Sequence, residues 1–421
     1  MSDWKPPRGT RDFLPPDGGA IRALYDRAAE LARRYGFRYV ETPGFEHTEL
    51  FATTSGQTSD VVSKEMYTFA DRGGRSLTLR PEGTAPVIRA YLEQRHDLPS
   101  PFKGYYLTRM YRYSRPQAGR LREHRQFGVE IVDEAEPGAD VEVIVVGDGY
   151  LRELGLSRYE VQINSIGDDV CRPAYRDELV AYLRANRDRL SDEHRDRFED
   201  NPMRVLDCKQ EACRAVAADA PRIVDNLCDA CRAHLDGVLG GLEEHGIKSV
   251  LTPTLVRGLD YYTRTAFEFV SGVLSEQQGT LFGGGRYDGL AEALGGPHVP
   301  GVGFGLGLER VLLALEEEAI AAPSEPALDV FVVGLGERGR ATAAQLVRTL
   351  RAAGVSADAA HGERPLKAQL RMADRAGARF AAIVGDAEVE AGTVTLRRLA
   401  DGRQDAVASA AVVGRVEAAR G

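Results

Sequence analysis

The hydrophobic positions of this chain recur with a helical period in some segments and with a two-residue, strand-like period in others. Apolar residues at helical spacing predict a helix over 20–35, and a short strand is expected over 37–40. A second helix, over 140–154, leads into a strand over 159–165. From about 170 to 248 the pattern is that of charged helices. We therefore interpret this stretch as a helical module inserted into a larger domain.

The segment Pro323-Ser-Glu-Pro indicates a linker, and the pattern changes beyond it. Strands are predicted over 328–334, 379–385, 393–399 and 405–413, and helices over 337–353 and 365–376. Alternating strands and helices are typical of a small α/β domain with right-handed crossovers. The sequence thus predicts two domains, over 1–325 and 326–421.

The stretch from Tyr105 to Val132 predicts two strands joined by a polar loop that contains Gly and Pro. Because side chains alternate across a strand, Gln126, Gly128 and Glu130 share one face, which suits a ligand better than a core. The loop carries four arginines: Arg115, Arg120, Arg122 and Arg125. Guanidinium groups suit phosphate, carboxylate or nucleic acid. On these residues alone, a solvated hairpin with a basic tip is an equally good interpretation.

Two other stretches place polar side chains at corners of the chain. A strand ends at Pro81, so Glu82 and Thr84 lie where the next helix begins, and spacing alone favours helix capping over a ligand contact there. In LVRGLDYY, an arginine and two tyrosines surround a glycine, at Arg257, Tyr261 and Tyr262. This corner offers a phosphate or carboxylate partner and two rigid hydroxyl groups, although half-buried tyrosines at a structural corner fit the pattern as well.

Two Gly-rich stretches follow. FGGGRYDGL has three consecutive glycines that leave room for a ligand, and we expect Arg286 and Tyr287 at its rim. In GVGFGLGLER three glycines alternate along one strand face: Gly303, Gly305 and Gly307. We expect these glycines to form a flat floor and Arg310 to open the next helix. A structural packing contact explains the glycines equally well, but it explains Arg310 poorly.

The composition limits the class of function. The chain has 421 residues, 43% hydrophobic and 28% charged, which predicts two or three globular domains. It has no run near the ~18 apolar residues of a membrane helix, and its start does not resemble a secretory signal. With five cysteines, we expect a reducing, cytoplasmic setting without disulfides. The net charge of −9 argues against a protein that coats nucleic acid, whereas the part from Pro326 onward is +3 and permits an RNA contact.

Several of these motifs together resemble the histidyl-tRNA synthetases, a family of class II aminoacyl-tRNA synthetases. Arg112 with RPQAGR, Gln126 and Glu130 resembles class II motif 2, and GVGFGLGLER resembles motif 3. LVRGLDYY and FGGGRYDGL resemble two signatures of the histidine-specific members. The resemblance covers nearly the whole chain in family order. It implies an α+β catalytic core, built as an antiparallel sheet flanked by helices, with the inserted helical module and a C-terminal α/β anticodon-binding domain.

The resemblance also implies an activity and its partners. Histidine and ATP are expected to give histidyl-adenylate and pyrophosphate, and the histidyl group then passes to the 3′ end of the histidine tRNA. ATP is thus a substrate, taken with Mg²⁺, and no organic cofactor is expected. The implied protein is a cytoplasmic homodimer that does not act on a membrane. The basic stripe Lys367, Arg371 and Arg375 could contact tRNA phosphates, and a solvated helix face is an equal alternative.

By match to the family, site residues are implied one by one. Arg112 and Arg257 would hold the α-phosphate and are the expected catalytic residues. The expected ATP-binding residues are Arg112, Arg120, His124, Arg257 and Arg310. The expected histidine-binding residues are Glu82, Gly83, Thr84, Gln126, Glu130, Tyr261 and Tyr262. Glu130 and Tyr262 would read the imidazole ring, and Arg115 and Gln117 would face the tRNA acceptor end.

This chain departs from the family in one place that bears on ATP. His124 and Arg125 occupy positions where the family usually has Phe and His, and the Phe stacks on adenine. We expect His124 to stack instead, with an altered ATP affinity and no loss of function.

The cysteines of the inserted module allow two interpretations. The candidates are Cys208, Cys213, Cys228 and Cys231, spaced C-x4-C and C-x2-C. The second pair has the spacing of zinc ligands, but the first is long and the residues between the pairs look helical. Reduced packing cysteines are therefore favoured over structural zinc, and no metal site is assigned.

Two rival functions remain. One is a histidine-sensing regulatory paralogue of ATP phosphoribosyltransferase, which would lack the tail domain and usually loses catalytic arginines. The other is a class II synthetase for another amino acid, which the two histidine-specific signatures disfavour.

Overall fold

An eight-stranded sheet lies at the centre of the first of two units in the computed structural model, which describes residues 4–54, 61–275 and 278–419. The units span Met1–Ser324 and Glu325–Gly421. In chain order the strands of the first unit are β1 (Arg38–Tyr39), β2 (Phe45–His47), β3 (Tyr67–Ala70), β4 (Ser76–Leu79), β5 (Phe102–Tyr111), β6 (Glu123–Val132), β7 (Tyr159–Ser165), β8 (Ser249–Leu251), β9 (Thr263–Ser271), β10 (Thr280–Arg286) and β11 (Gly301–Gly307).

The large sheet has the order β1-β5-β6-β11-β10-β9-β7-β8. Its five inner pairs are antiparallel, and each edge pair is parallel. The helices of this unit are α1 (Asp17–Arg34), α2 (Thr48–Thr54), α3 (Thr84–Gln94), α4 (Pro137–Glu153), α5 (Arg172–Ala185), α6 (Asp192–Arg195), α7 (Glu211–Ala217), α8 (Asp229–Glu244), α9 (Leu290–Ala293) and α10 (Leu308–Glu317). β2, β4 and β3 form a separate antiparallel sheet.

The two faces of the large sheet differ in polarity because side chains alternate along each strand. On β6, Phe127, Val129 and Ile131 join the apolar core under α1 and α4. The ring of Phe127 lies 5.3 Å from that of Tyr150 on α4 and 5.4 Å from that of Phe304 on β11. The interpretation of this strand as part of a solvated hairpin is wrong, since residues 125–132 are all buried. The apolar face anchors β6, which leaves its polar face free to form a site.

The inserted module, α5 to α8, lies in sequence between β7 and β8. Its buried residues include Tyr175, Leu179 and Val216, and they belong to the same apolar cluster as Tyr261 and Tyr262, which follow the module in the chain. The module therefore packs against the part of the sheet that carries the polar face.

The second unit is a small α/β domain. Its elements are β12 (Val330–Gly334), α11 (Gly336–Ala352), β13 (Ala357–Ala359), α12 (Leu366–Arg375), β14 (Phe380–Val384), α13 (Asp386–Ala391), β15 (Thr393–Arg398), β16 (Gln404–Ala408) and α14 (Val412–Glu417). The strand order is β13-β12-β14-β15-β16. The predicted strand over 405–413 is wrong beyond Ala408, because Val412 and Val416 are buried one helical turn apart on α14. Among the described helices of the chain, none combines the length and apolar character needed to span a membrane.

Candidate active site

The floor of the site consists of β6 and β11, which are paired so that Gly303 faces Glu130 and Gly305 faces Gly128. A Cβ atom on Gly303 would lie 1.8 Å from Oε2 of Glu130, and one on Gly305 would lie 2.3 Å from Nε2 of Gln126. No side chain fits at such distances. The two glycines are therefore required for the Glu130 and Gln126 side chains to lie across the sheet.

Glu130 is fully buried at one end of the site. Its carboxyl group accepts hydrogen bonds from Thr84 Oγ1, at 2.8 Å, and from the hydroxyl group of Tyr287. Burial raises the pKa of Glu130 to about 8, although these two hydrogen bonds lower it. A carboxyl group whose pKa lies this close to neutral pH can donate a hydrogen bond to a ligand when it is protonated and accept one when it is ionised.

Aromatic hydroxyl groups surround this carboxyl group. The rings of Tyr261 and Tyr262 are 4.7 Å apart, and those of Tyr261 and Tyr287 are 6.0 Å apart. The hydroxyl group of Tyr106 lies 3.5 Å from Oε1 of Glu130. Burial raises the pKa of each of these tyrosines, so their hydroxyl groups stay protonated and can donate.

Glu82 caps α3, as spacing alone favoured. Its carboxylate accepts the backbone N–H groups of Thr84, at 2.6 Å, and Ala85, at 3.0 Å. The side chain also lines the cavity, together with Gly83 and Thr84. Capping and contact with a ligand are therefore compatible at this corner, because one carboxylate has enough lone pairs for both.

Four guanidinium groups, those of Arg112, Arg120, Arg257 and Arg310, line the opposite end of the site. Arg112 Nε donates to the Pro81 carbonyl at 2.7 Å, which fixes its direction. Arg257 is ion-paired with Glu268, and Arg310 donates to the Thr280 carbonyl. Burial and then the charge of Arg120 lower the pKa of Arg310. These cations repel one another, so a polyanionic ligand would stabilise the group.

His124 lies among these arginines. Burial, followed by the charges of Arg112, Arg120 and Arg310, lowers the pKa of His124 to about 3. The ring is therefore neutral at physiological pH. Arg125 points elsewhere: its guanidinium group pairs with Glu309 at 3.2 Å and lies 4.0 Å from the ring centre of Phe13.

Most of the residues expected from the sequence line a single cavity of about 400 Å³. They are Glu82, Gly83, Thr84, Arg112, Arg120, His124, Gln126, Arg257, Tyr261, Tyr262 and Arg310. Glu130 lies directly behind Thr84. Arg115 and Gln117 are not among the described residues that line the cavity. Both lie on the loop after β5, where Gln117 and Arg120 exchange backbone hydrogen bonds.

The sequence missed several lining residues, among them Tyr106, Asp207, Lys209 and Glu268. Tyr106 had a usable signal, because it pairs with Gly128 across β5 and β6 and its ring occupies the space above that glycine. Asp207 and Lys209 had none, since they come from the inserted module and only the tertiary fold brings them to the cavity.

The expected position of Arg286 and Tyr287 at a rim is wrong. Arg286 is completely buried and ion-paired with Asp140 on α4, and Tyr287 is 1% exposed. The pair of charges sits where no water can solvate it, so each requires the other. Tyr287 instead becomes a direct partner of Glu130.

The comparison with known proteins decides the family. A histidyl-tRNA synthetase family model matches residues 9–311, more than half of the chain. The chain belongs to the histidyl-tRNA synthetase family. An anticodon-binding-domain model matches residues 329–419, within the second unit. The predicted family and the predicted α+β core with a C-terminal anticodon-binding domain are thereby confirmed.

Relatives of this synthetase family match over almost the full length. The chain is 50% identical over 411 residues to a histidine–tRNA ligase of Moorella thermoacetica, covering 97% of this chain and 96% of the relative. It is 37% identical to the apo histidyl-tRNA synthetase of S. aureus, with a TM-score of 0.82 and coverage of 98% and 100%. A Bacillus halodurans structure described as an ATP phosphoribosyltransferase regulatory subunit/histidyl-tRNA synthetase is 24% identical, with a TM-score of 0.64 and coverage of 91% and 98%, and shows only a shared fold. The regulatory alternative is thus less supported than the ligase.

The structure does not bring the four candidate zinc-binding cysteines together as one ligand set. Cys228 and Cys231 lie with Asp168 and Cys171, whereas Cys208 and Cys213 lie with His194. The pairs separate because the residues between them, 214–227, contain the end of helix α7 and a 3₁₀ turn at Ile223–Asp225 instead of a ribbon.

Proposed function

We propose that this chain is a histidine–tRNA ligase, which activates L-histidine with ATP and then transfers the histidyl group to the 3′ end of its tRNA. One observation carries the proposal. A single cavity joins a hydrogen-bonding end, lined by Thr84 and Tyr262 with Glu130 directly behind Thr84, to a cationic end of four arginines. An amino acid with a polar ring fits the first end and a triphosphate fits the second, so the two reactive groups would meet between them.

Histidine would bind at the Glu130 end. Glu82, Gly83, Thr84 and Gln126 would hold the α-amino and carboxylate groups, since a carboxylate pairs naturally with an ammonium group. Glu130 and Tyr262 would read the two ring nitrogens, one of which is a donor and the other an acceptor in neutral imidazole. Tyr261 packs against Tyr262 and would hold its ring in place. An amino acid without these nitrogens leaves buried polar groups unpaired, which supports strong selection.

ATP would bind across the arginines. The carboxylate oxygen of histidine attacks the α-phosphorus, the bond to the β-phosphate oxygen breaks, and pyrophosphate leaves. Negative charge grows on the phosphate oxygens during this step, so preorganised cations are the main catalytic device. Arg112 and Arg257 would hold the α-phosphate, Arg120 the outer phosphates, and Arg310 would stack on adenine.

Mg²⁺ would arrive with ATP and neutralise part of the triphosphate charge. It prefers one or two carboxylates together with phosphate oxygens. Asp207 and Glu268 both line the cavity, and burial followed by the charge of Glu268 raises the pKa of Asp207. This crowding of carboxylates fits a cation, and these two residues would hold it.

The tRNA would approach from the side of the inserted module. A cavity of about 810 Å³ there shares Arg112, Arg120 and Arg257 with the first. It is also lined by Lys64, Arg197, Arg204 and Lys209. This cationic lining suits the phosphates of a single-stranded 3′ end. Arg115 and Gln117, on the loop after β5, would contact that end.

The active form would be a cytoplasmic homodimer. Exposed aromatic residues support the proposal that a second copy of the chain covers part of this surface. Tyr39 is 52% exposed, Phe45 51% and Phe69 44%. They lie on β1, β2 and β3, and the rings of Phe45 and Phe69 are 6.3 Å apart. Contiguous exposed apolar patches mark interaction surfaces.

Replacing His124 with alanine should raise the KM for ATP about 3- to 10-fold, as expected for a lost stacking contact of about 1 kcal/mol. The KM for histidine should not change. His124→Phe, which restores the usual family residue, should give a KM for ATP at or below that of the wild type. Because the pKa of His124 is about 3, the KM for ATP should show no His124 titration near neutrality. An unchanged KM in His124→Ala would refute the stacking role.

The basic stripe on α12 offers a test of tRNA binding. Lys367, Arg371 and Arg375 are all exposed. Replacing all three with alanine should raise the KM for tRNA by about 10-fold or more and flatten its salt dependence, because each phosphate contact contributes to the salt slope. Histidine-dependent pyrophosphate exchange should stay at the wild-type level. An unchanged KM for tRNA would identify the stripe as a solvated face.

The proposed function is tested by charging of purified histidine tRNA with labelled histidine. Wild-type protein should charge it, and Arg115→Ala should lower charging while leaving pyrophosphate exchange intact. No charging by a protein that still carries out histidine-dependent exchange would contradict the second step.

A further inference from the structure

Four potential metal ligands that the proposed function does not use converge where the inserted module meets the catalytic unit. They are Asp168, Cys171, Cys228 and Cys231, and their ligand atoms all lie within 4.8 Å of one another. The Sγ atoms of Cys171 and Cys231 are 3.8 Å apart. Oδ1 of Asp168 lies 3.4 Å from Sγ of Cys171 and 3.9 Å from Sγ of Cys228.

These separations match the edges of a tetrahedral zinc site. With Zn–S bonds of about 2.3 Å and Zn–O bonds of about 2.0 Å, tetrahedral geometry requires S···S distances of about 3.8 Å and O···S distances of about 3.5 Å. The observed S···S distance equals that value, and the two O···S distances bracket theirs closely. Packed thiols can also lie at these distances, so the assignment rests on the convergence of all four ligand atoms within 4.8 Å of one another.

The local sequence explains how the ligands come together. Asp168 and Cys171 are separated by two residues just before α5, and Cys228 and Cys231 by two residues at the start of α8. Such x2 spacing turns both ligands of a pair toward one point. The sequence alone did not indicate this set of four ligands, because the first pair, Asp168 and Cys171, contains only one cysteine. The second pair, Cys228 and Cys231, lies 60 residues further along the chain.

We propose that Asp168, Cys171, Cys228 and Cys231 bind one structural Zn²⁺ ion. Four protein ligands leave no open position, which is typical of structural and not of catalytic zinc. The ion would link the N-termini of the first and last long helices of the module, α5 and α8. It would thereby stabilise the end of the module where the chain enters it.

The surroundings of the site suit this ion. Three thiolates and a carboxylate around Zn²⁺ leave a net negative charge, and the guanidinium group of Arg264 lies 3.5 Å from Oδ2 of Asp168. A positive group at that distance stabilises such a site.

The site also connects to the histidine end of the cavity. Arg172, next to Cys171, donates to the Ile166 carbonyl at 2.9 Å and to the Tyr262 carbonyl. Fixing Cys171 would therefore help to hold Tyr262 in position.

The second cluster, His194, Cys208 and Cys213, supplies a matched control. It offers three ligands, and Sγ of Cys213 is already 3.0 Å from the hydroxyl oxygen of Ser191. Replacing Cys208 with serine thus removes a thiol from the same module without touching the proposed site.

The experiment measures metal content in the full chain, purified under reducing conditions and supplied with Zn²⁺. Wild type and Cys208→Ser should each hold one Zn²⁺ per chain, whereas Cys228→Ser should hold none. Asp168→Asn, which preserves side-chain size, should bind Zn²⁺ at least about 100-fold more weakly. Co²⁺ in the chelator-treated wild type should show tetrahedral absorption with thiolate charge transfer, a readout that needs no variant to fold.

Zinc removal should also lower the Tm and expose the module to protease cleavage between 169 and 230. Absence of stoichiometric Zn²⁺ from the wild type would overturn the proposal, as would retention of zinc in Cys228→Ser together with its loss from Cys208→Ser. A Cys171–Cys231 disulfide that persists in protein purified under reducing conditions would also overturn the proposal. None of these results depends on histidine activation, which pyrophosphate exchange reports separately.

Discussion

Replacing Arg257 with alanine is expected to lower histidine-dependent pyrophosphate exchange by about 1,000-fold or more, mostly in kcat. Removing one preorganised donor to a developing negative charge typically costs about 100- to 1,000-fold, and a buried full charge costs more than a neutral donor. The Arg257 side chain is 18% exposed, and its guanidinium group lines the cavity beside Glu268. The measurement is steady-state exchange at saturating histidine and ATP.

Two control variants separate catalysis from structure. Arg109→Ala removes an arginine that is 56% exposed and paired with Glu123 outside the cavity, and it should keep wild-type exchange. Glu268→Gln removes the ion-pair partner but keeps the Arg257 guanidinium; because Glu268 is also a proposed Mg²⁺ ligand, this variant is assayed at a raised, saturating Mg²⁺ concentration. It should then lose far less activity than Arg257→Ala, and equal losses under that condition would mean that Arg257 acts only through its ion pair.

Replacing Glu130 with glutamine should raise the KM for histidine about 5- to 100-fold, since leaving a buried hydrogen-bonding group without its partner costs about 1–3 kcal/mol. The amide keeps the size of the side chain: its oxygen can accept from one of the two hydroxyl groups of Thr84 and Tyr287, and its NH2 group can donate to the hydroxyl oxygen of the other, so the fold should survive. Selectivity against other amino acids should fall with it. Glu123→Gln, on the same strand but outside the lining, is the matched control. A wild-type KM for histidine in Glu130→Gln would remove Glu130 from the site.

The same variant tests the pKa of the buried carboxyl group. The pKa of Glu130 is about 8 in the folded, empty protein and near 4.5 when exposed. Between these values the folded state holds a proton that the unfolded chain has released, so the free energy of unfolding falls as pH rises through this window. Tm should therefore drop more between pH 5 and pH 8 in the wild type than in Glu130→Gln. Identical slopes would show that Glu130 is ionised in the empty protein.

Local periodicity predicted the bounds of individual elements, whereas the α+β architecture of the core was implied by the family resemblance. The strand over 159–165 was predicted at its observed bounds, and the first helix was predicted within three residues. The failure over 405–413 arose because this segment spans two elements: Val407 lies on strand β16, whereas Val412 begins helix α14. Apolar runs of that length do not distinguish the two, and only burial against the rest of the domain decides.

The site was predictable where all the residues that form a feature lie within one sequence motif or its paired strand. Gly303 and Gly305 were expected to form a floor, and they do so beneath Glu130 and Gln126. Long-range partners were not predictable. Arg286 looked like a rim residue until α4 brought Asp140 to it from 146 positions away in the sequence. The same limit hid Cys171, whose partners lie at the start of a helix at the other end of the module.

The most direct test is the exchange of labelled pyrophosphate into ATP, measured separately in the presence of each of the twenty amino acids. We expect exchange with histidine alone, because only histidine presents two ring nitrogens to Glu130 and Tyr262. Exchange with a different amino acid would show that these two residues have been assigned the wrong role. Binding of histidine without any exchange would contradict adenylate formation and point to a regulatory protein.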